Sequence, residues 1–250
     1  MPRDPTLKLH VSSAKPVFPG HYQPHIPADP GFYDLRLTEV REEQARLARA
    51  YGIYGFCYYY YYFNGGRPLN RPLDEVITSG KPDFPFCICW TNENWTRKWD
   101  GKNEDILIEQ VHSIEDDRNY IHQLIPVLKD KRYIRVNNKL LLLISRADLF
   151  PDPKKTAGIW RNIVRKEIRE ELYLCAVNNF AKEIDPMLVG FDGIVQTPPN
   201  IMQNKDLNKG LFPAMNEINY HDIQDNWIIN YPSVVNHLVH IKKPNYSFYL

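Results

Sequence analysis

Apolar positions along the chain alternate between two periods. Thr38 is placed to cap a helix whose apolar face runs through Val40, Leu47, Ala48 and Tyr51, with Gly52 as its stop. Ile53–Phe63 follows as an aromatic, β-prone run that ends in the turn Asn64-Gly65-Gly66. Phe84–Trp90 predicts a short apolar strand with a long loop behind it. Ser113 and Asp116 then resemble a capping box, opening a helix with Ile121, Leu124, Ile125 and Leu128 inward and a kink expected at Pro126. Lys139–Ile144 is a continuous Leu and Ile run, as a strand buried on both faces requires. Asp152-Pro153 supplies the cap and first position of a helix that turns Ile159, Trp160, Ile163 and Val164 inward. Leu172–Val177 and Phe191–Val195 are two more strands.

Strand, helix, strand at this spacing predicts parallel βα units. Five strands are visible, and Tyr246–Leu250 reads as the middle of a sixth. The expected fold is α/β, a (β/α)8 TIM-barrel type that is incomplete, with about five to six of eight strands present. A doubly wound sheet is disfavoured because no Gly-rich phosphate loop follows any strand. Residues 15–31 read as an irregular loop rich in Pro, His and aromatics. The domain expectation is a single partial barrel over 1–250, with 201–250 an irregular excursion and truncated C-terminal part.

Composition narrows the function classes. The net charge of +1 is spread without a basic stripe, which argues against nucleic acid as a partner. The opening Met1-Pro-Arg-Asp-Pro-Thr-Leu-Lys lacks a signal-peptide core, and no apolar run approaches the roughly 20 residues of a membrane span. Cys57, Cys87, Cys89 and Cys175 lie in apolar strand-like runs at no zinc or redox spacing; they read as buried thiols of a cytoplasmic protein. Neither metal nor cofactor is expected. Aromatics make up 13% of the 250 residues, 16 of them Tyr. That excess suits sugar recognition, since rings stack on the apolar face of a pyranose, and equally suits plain strand filling.

Three clusters carry candidate chemistry. The densest is Trp90-Thr91-Asn92-Glu93-Asn94-Trp95-Thr96-Arg97-Lys98-Trp99-Asp100, directly behind a buried strand, where a barrel places working residues. Trp90, Trp95 and Trp99 can form sugar platforms; Asn92, Arg97 and Asp100 can pair with hydroxyls; Glu93 can act as acid, base or charge stabiliser. The structural alternative packs the Trp residues beneath the loop and pairs Glu93 with Arg97. In the second cluster Tyr58, Tyr60 and Tyr62 share one strand face and Tyr59 and Tyr61 the other. One face should point to the barrel axis, with Tyr60 and Tyr62 nearest the mouth. The third cluster holds His21, Tyr22 and His25, where Pro19 and Pro24 rule out a helical metal pair; substrate contact or loop bracing is expected instead.

These clusters resemble a known family. Pro16-Val-Phe-Pro-Gly-His-Tyr-Gln-Pro-His25, Gly55-Phe-Cys-Tyr-Tyr59, Leu73-Asp-Glu75, Gly80-Lys-Pro-Asp-Phe-Pro-Phe86, Cys89-Trp-Thr-Asn-Glu-Asn-Trp-Thr-Arg97 and Glu115-Asp-Asp117 look like the WbsX family, in consecutive order from about residue 14 to about residue 200. The resemblance implies glycosyl transfer in O-antigen and lipopolysaccharide assembly, and similarity to glycoside hydrolase family 99, the endo-α-mannosidase type with a (β/α)8 barrel. It also shows departures. Family members open with a strand resembling Tyr-Leu-Pro-Gln-Phe-His and close with one resembling Asn-Glu-Trp-x-Glu-Gly, which supplies the hydrolases' carboxylate pair. Neither is found here. Tyr60 stands where His is common, Tyr62 where Trp is common, and Ser145 and Ala147 flank Arg146 where Tyr and Pro are more usual.

The leading expectation is therefore a WbsX-type glycosyltransferase-like protein acting on an oligosaccharide or sugar nucleotide. Two alternatives stay open: an endo-α-mannosidase-like hydrolase, and a remnant or sugar-binding fragment completed by a partner chain that supplies the missing strands.

Overall fold

The computed structural model describes residues 5–16, 21–97, 102–178 and 185–197, with scattered positions from 232 to 249. The elements run α1 (Pro5–Ser12), α2 (Thr38–Ala50), β1 (Phe56–Tyr60), α3 (Arg71–Ser79), β2 (Phe86–Trp90), β3 (Trp95–Arg97), β4 (Lys102–Ile108) and α4 (Ile114–Leu128). Then follow β5 (Arg135–Val136), β6 (Lys139–Ile144), a 3-10 turn (Ala147–Leu149), α5 (Pro153–Ile168), β7 (Leu172–Asn178), α6 (Pro186–Val189), β8 (Gly193–Gln196) and β9 (Ser247–Tyr249). β1, β2, β6, β7, β8 and β9 pair side by side, every pair parallel, and β5 adds an antiparallel hairpin to β6. Each new strand joins the same edge of the sheet. That is the order of a barrel, whereas a doubly wound sheet reverses at a switch point. Among the described residues β1 and β9 do not pair, so the barrel is not closed.

From β1 to β8 the parallel strands are joined by helices. Ser113 caps α4 by accepting from the Asp116 backbone N–H at 3.0 Å, and Asp152 caps α5 through the Lys155 N–H at 3.0 Å. Both helices turn aromatic residues onto β2. Tyr120 of α4 stacks on Trp90 with ring centroids 3.9 Å apart, and Trp160 of α5 lies 5.9 Å from Trp90. All three side chains are fully buried, each removal from water stabilising the fold by about 2–3 kcal/mol. Gly55, just before β1, lets the chain run against Pro85: a Cβ there would sit 2.6 Å from the Pro85 carbonyl oxygen.

Several local expectations change. Leu37, not Thr38, holds the cap position of α2; the Thr38 hydroxyl accepts from the Arg41 guanidinium at 3.0 Å instead. Pro126 falls in the last turn of α4, which continues for two residues beyond it to Leu128. The long loop after β2 contains the antiparallel pair β3–β4. Cys57 is exposed, while Cys87, Cys89 and Cys175 are buried. The sixth strand is present as β9 beside β8; residues 201–231 of the expected excursion lie outside the described residues.

Candidate functional site

The site is built where β2 ends. Trp90 is in register with Tyr60 on one side and Ile144 on the other, so the loops after β1, β2 and β6 meet at one end of the sheet. Backbone bonds carry the ladder one step further, from the Thr91 N–H to the Tyr60 carbonyl at 3.1 Å and from the Ser145 N–H to the Trp90 carbonyl at 2.9 Å.

Asn92 then fastens two of these ends together. Its side-chain NH2 donates to the Arg146 carbonyl at 2.8 Å and its side-chain oxygen accepts from the Arg146 N–H at 2.8 Å. The residue has no exposed surface, and His112 Nε2 lies 3.2 Å from its backbone carbonyl. Burial holds the His112 imidazole below its ordinary value, which favours the neutral ring at this contact. Asn92 thus acts as a clamp rather than as a surface group.

The clamp sets the geometry of its neighbours. Arg146 forks onto Asp148 with bonds of 2.8 and 2.7 Å and reaches Glu93 Oε2 at 3.6 Å through Nη1. The bond to Asp148 raises the Arg146 guanidinium above its ordinary value and holds the Asp148 carboxyl below the usual range. Glu93 lines a cavity of about 220 Å³ together with Tyr61, Phe63, Thr91, Asn94, Trp95 and Thr96. Trp95 lies nearly parallel to Tyr61, with centroids 5.3 Å apart at 12°, and to Phe63, at 6.3 Å and 15°. The Thr91 and Thr96 hydroxyls are buried in this wall without a hydrogen-bond partner among the described residues. Flat aromatic surface, one carboxylate and unspent hydroxyls are the components that bind a polyol ring: stacking on its C–H face, hydrogen bonds around its rim.

The predicted residues separate into groups. Glu93 and Trp95 meet in the cavity, and Asn92 stands behind it. Trp90 is in the core. Tyr60, in register with Trp90, and Tyr62, two residues on, lie on the helix-covered face and pack against Tyr120, whose ring is 5.9 Å from Tyr60 and 5.4 Å from Tyr62. Tyr62 donates to Asp116 Oδ1 at 3.0 Å, and burial pushes the Tyr60 phenol up to about 12 and the Tyr62 phenol above its ordinary value. Tyr61, the residue between them, lines the cavity in their place, as the opposite strand face requires. His21, Tyr22 and His25 do not line the cavity. Gln23 bridges the first and last, 3.4 Å from His21 Nε2 and 3.3 Å from the His25 N–H, and Tyr22 packs edge-on to His25 at 4.8 Å. Trp99 and Asp100 and the side chain of Arg97 lie outside the described residues. No group of three His, Cys, Asp or Glu placed to hold a metal occurs among the described residues, and no described helix is long and apolar enough to cross a membrane.

Fold and site together define a parallel α/β protein with an aromatic, carboxylate-bearing cleft at the carboxyl ends of its strands. Residues 8–250 match the family described as Glycosyltransferase WbsX, and the chain belongs to that family. It is 44% identical over 192 residues to the uncharacterized protein WxcX of Xanthomonas campestris pv. campestris, from two strains. That match covers 77% of this chain and 28% of the relative, so the chain spans little more than a quarter of the length of the curated relatives it matches. Solved structures overlap it more loosely. A glycoside hydrolase-like protein superposes with a TM-score of 0.49 at 15% identity, over 69% of this chain and 53% of its own. A family 99 endo-α-mannosidase from Bacteroides thetaiotaomicron superposes with a TM-score of 0.47 at 14% identity, over 72% and 53%.

Proposed function

We propose that this chain carries the sugar-binding wall of a WbsX-type glycosyltransferase acting on glycans during assembly of a surface polysaccharide, the lipopolysaccharide O-antigen class. The observation that supports it most directly is the cavity in which Trp95 and Tyr61 present stacked rings beside Glu93. In this reading Trp95, Tyr61 and Phe63 hold the pyranose face, Asn94 and the Thr91 and Thr96 hydroxyls take its rim, and Glu93 is the group at the reacting centre, oriented by Arg146. Arg97, Trp99 and Asp100, which follow in the sequence, are further candidates to pair with or stack on the sugar. Asn92 serves as the clamp and Trp90 as the floor. The four unpaired thiols fit a reducing, cytoplasmic setting.

β1 has a neighbour on one side only among the described residues, leaving a row of unpaired backbone groups. A partner segment that adds strands at that edge belongs to the same proposal.

Titration calorimetry with a panel of neutral oligosaccharides and sugar nucleotides tests the site. A ligand that binds the native chain and loses at least about tenfold in affinity, or about 1.4 kcal/mol, with both Trp95→Ala and Glu93→Gln is the expected result. Equal affinity of these variants and the native chain would remove the cavity from consideration.

A further inference from the structure

β1 and β2 bring three of the four thiols to one place. Cys57 and Cys87 are register partners on adjacent parallel strands, and Cys89 follows two residues on, on the same face. Cys87 is therefore the cross-strand neighbour of Cys57, with Cys89 one same-face position further along β2. Cys57 itself is exposed, and it lines a second cavity of about 480 Å³ with Arg41, Gln44, Tyr33 and Tyr58. A small reagent therefore has a route to this one sulfur. Neighbouring strands lie about 4.8 Å apart, inside the Cα separation of about 4.4–6.8 Å that a disulfide requires. Cys89 is offset along the strand by two residues and is the poorer match.

We propose that Cys57 is a peroxide-sensitive thiol that closes onto Cys87 as a cross-strand disulfide. In the first step the Cys57 thiolate attacks a peroxide oxygen; an S–O bond forms, the O–O bond breaks, and the departing hydroxide takes up a proton to become water. In the second, the Cys87 sulfur attacks the Cys57 sulfenic sulfur; the S–S bond forms, the S–O bond breaks, and the Cys87 thiol proton leaves on the hydroxide as a second water. Two thiols lose two electrons and one hydrogen peroxide gains them. The surroundings assign the roles. Hydrogen bonds from Cys87 and then Cys89 hold the Cys57 thiol below its ordinary value, while their bonds to Cys57 and their own burial hold Cys87 and Cys89 above it. The accessible sulfur is thus the nucleophile and the enclosed one the resolving thiol. The bond would lie four residues, about 13 Å, along the strands from Tyr61 and Thr91, so it is separable from sugar binding.

The test uses the native chain. Iodoacetamide at pH 7 followed by mass spectrometry should show Cys57 alkylated at least about tenfold faster than the other three cysteines. Stoichiometric hydrogen peroxide, then cleavage after Glu75 by a glutamate-specific protease and fragment mapping, should show Cys57 linked to Cys87 and released by dithiothreitol. Trypsin is unsuitable because Arg67, Arg71 and Lys81 each precede a proline, which leaves Cys57 and Cys87 on one peptide. With Cys87→Ala, dimedone should label Cys57. Comparable alkylation of all four thiols, a link to Cys89 or between chains, or no dimedone adduct in a folded Cys87→Ala variant would each overturn the assignment.

Discussion

The two faces of β1 carry the same residue type to opposite ends. Tyr62, with Tyr60 on its side of the strand, is 0% exposed, ring-packed against Tyr120 and bonded to Asp116. Tyr59, one step off that face, is 65% exposed and tilts against Tyr61, which stacks on Trp95. What differs is the cover: α4 and α5 close one face, whereas the cavity beside Glu93 opens on the other, where Tyr61 lines it. A tyrosine's role here is decided by which parity of the strand the helices bury. On the covered face its ring is core and its hydroxyl a buried polar group that needs a partner. On the open face the same ring is a platform.

The comparison breaks most visibly at Trp90. Trp90→Ala empties the contact among Tyr62, Tyr120, Phe150 and Trp160 and should cost about 3–5 kcal/mol in denaturant unfolding. Tyr59→Ala on the open face should stay within about 0.5 kcal/mol. If the two variants cost the same, the open face is covered in solution and the distinction between faces fails.

The clamp comes next. Asn92→Ala leaves the Arg146 N–H and carbonyl without their partners and should cost about 2–3 kcal/mol by the same measurement. Asn92→Asp keeps the bond from the Arg146 N–H but sets a carboxylate oxygen against the Arg146 carbonyl, so it should rescue little. Arg146→Ala is smaller in stability. Its ion pairs are about one-third exposed, which limits the loss to about 1 kcal/mol. Its effect should instead appear in ligand affinity, because Glu93 loses the cation 3.6 Å away.

These outcomes also mark what the sequence could and could not say. The caps at Ser113 and Asp152 and the Leu-rich run of β6 were legible because local chemistry alone dictates them. Five consecutive tyrosines contain no alternation, so nothing in Tyr58–Tyr62 says which parity faces the helices; pairing with the Cys-Ile-Cys-Trp strand decides it. The hairpin was hidden because Lys102–Ile108 reads Lys-Asn-Glu-Asp before its apolar residues, a poor strand signal that pairing with Trp95–Arg97 overrides. Asn92 looked like a surface amide in a polar loop. Only its distance to Arg146, 54 residues on, reveals a clamp. Helix α3 was legible in retrospect from Leu73, Val76 and Ile77 behind Pro72, with Gly80 left-handed at its end.

The smallest effect tests the polar layer beneath the covered face. Asp116 and Asp117 are both buried, and desolvation raises both carboxyls above the ordinary range of about 3.9. For a group raised by folding, the native state binds the extra proton, so its stabilising contribution is present at low pH. That contribution is lost as pH rises from the unfolded value through the folded one. Asp116→Asn removes this titration while keeping an oxygen to accept from Tyr62. The native chain's stability relative to the variant should therefore be greatest near pH 4 and fall steadily toward pH 7, followed by urea unfolding at matched ionic strength. A relative stability that instead rose with pH would mean that Tyr62 and Gln110 hold Asp116 ionised, and that the covered face tolerates a charge its packing argues against.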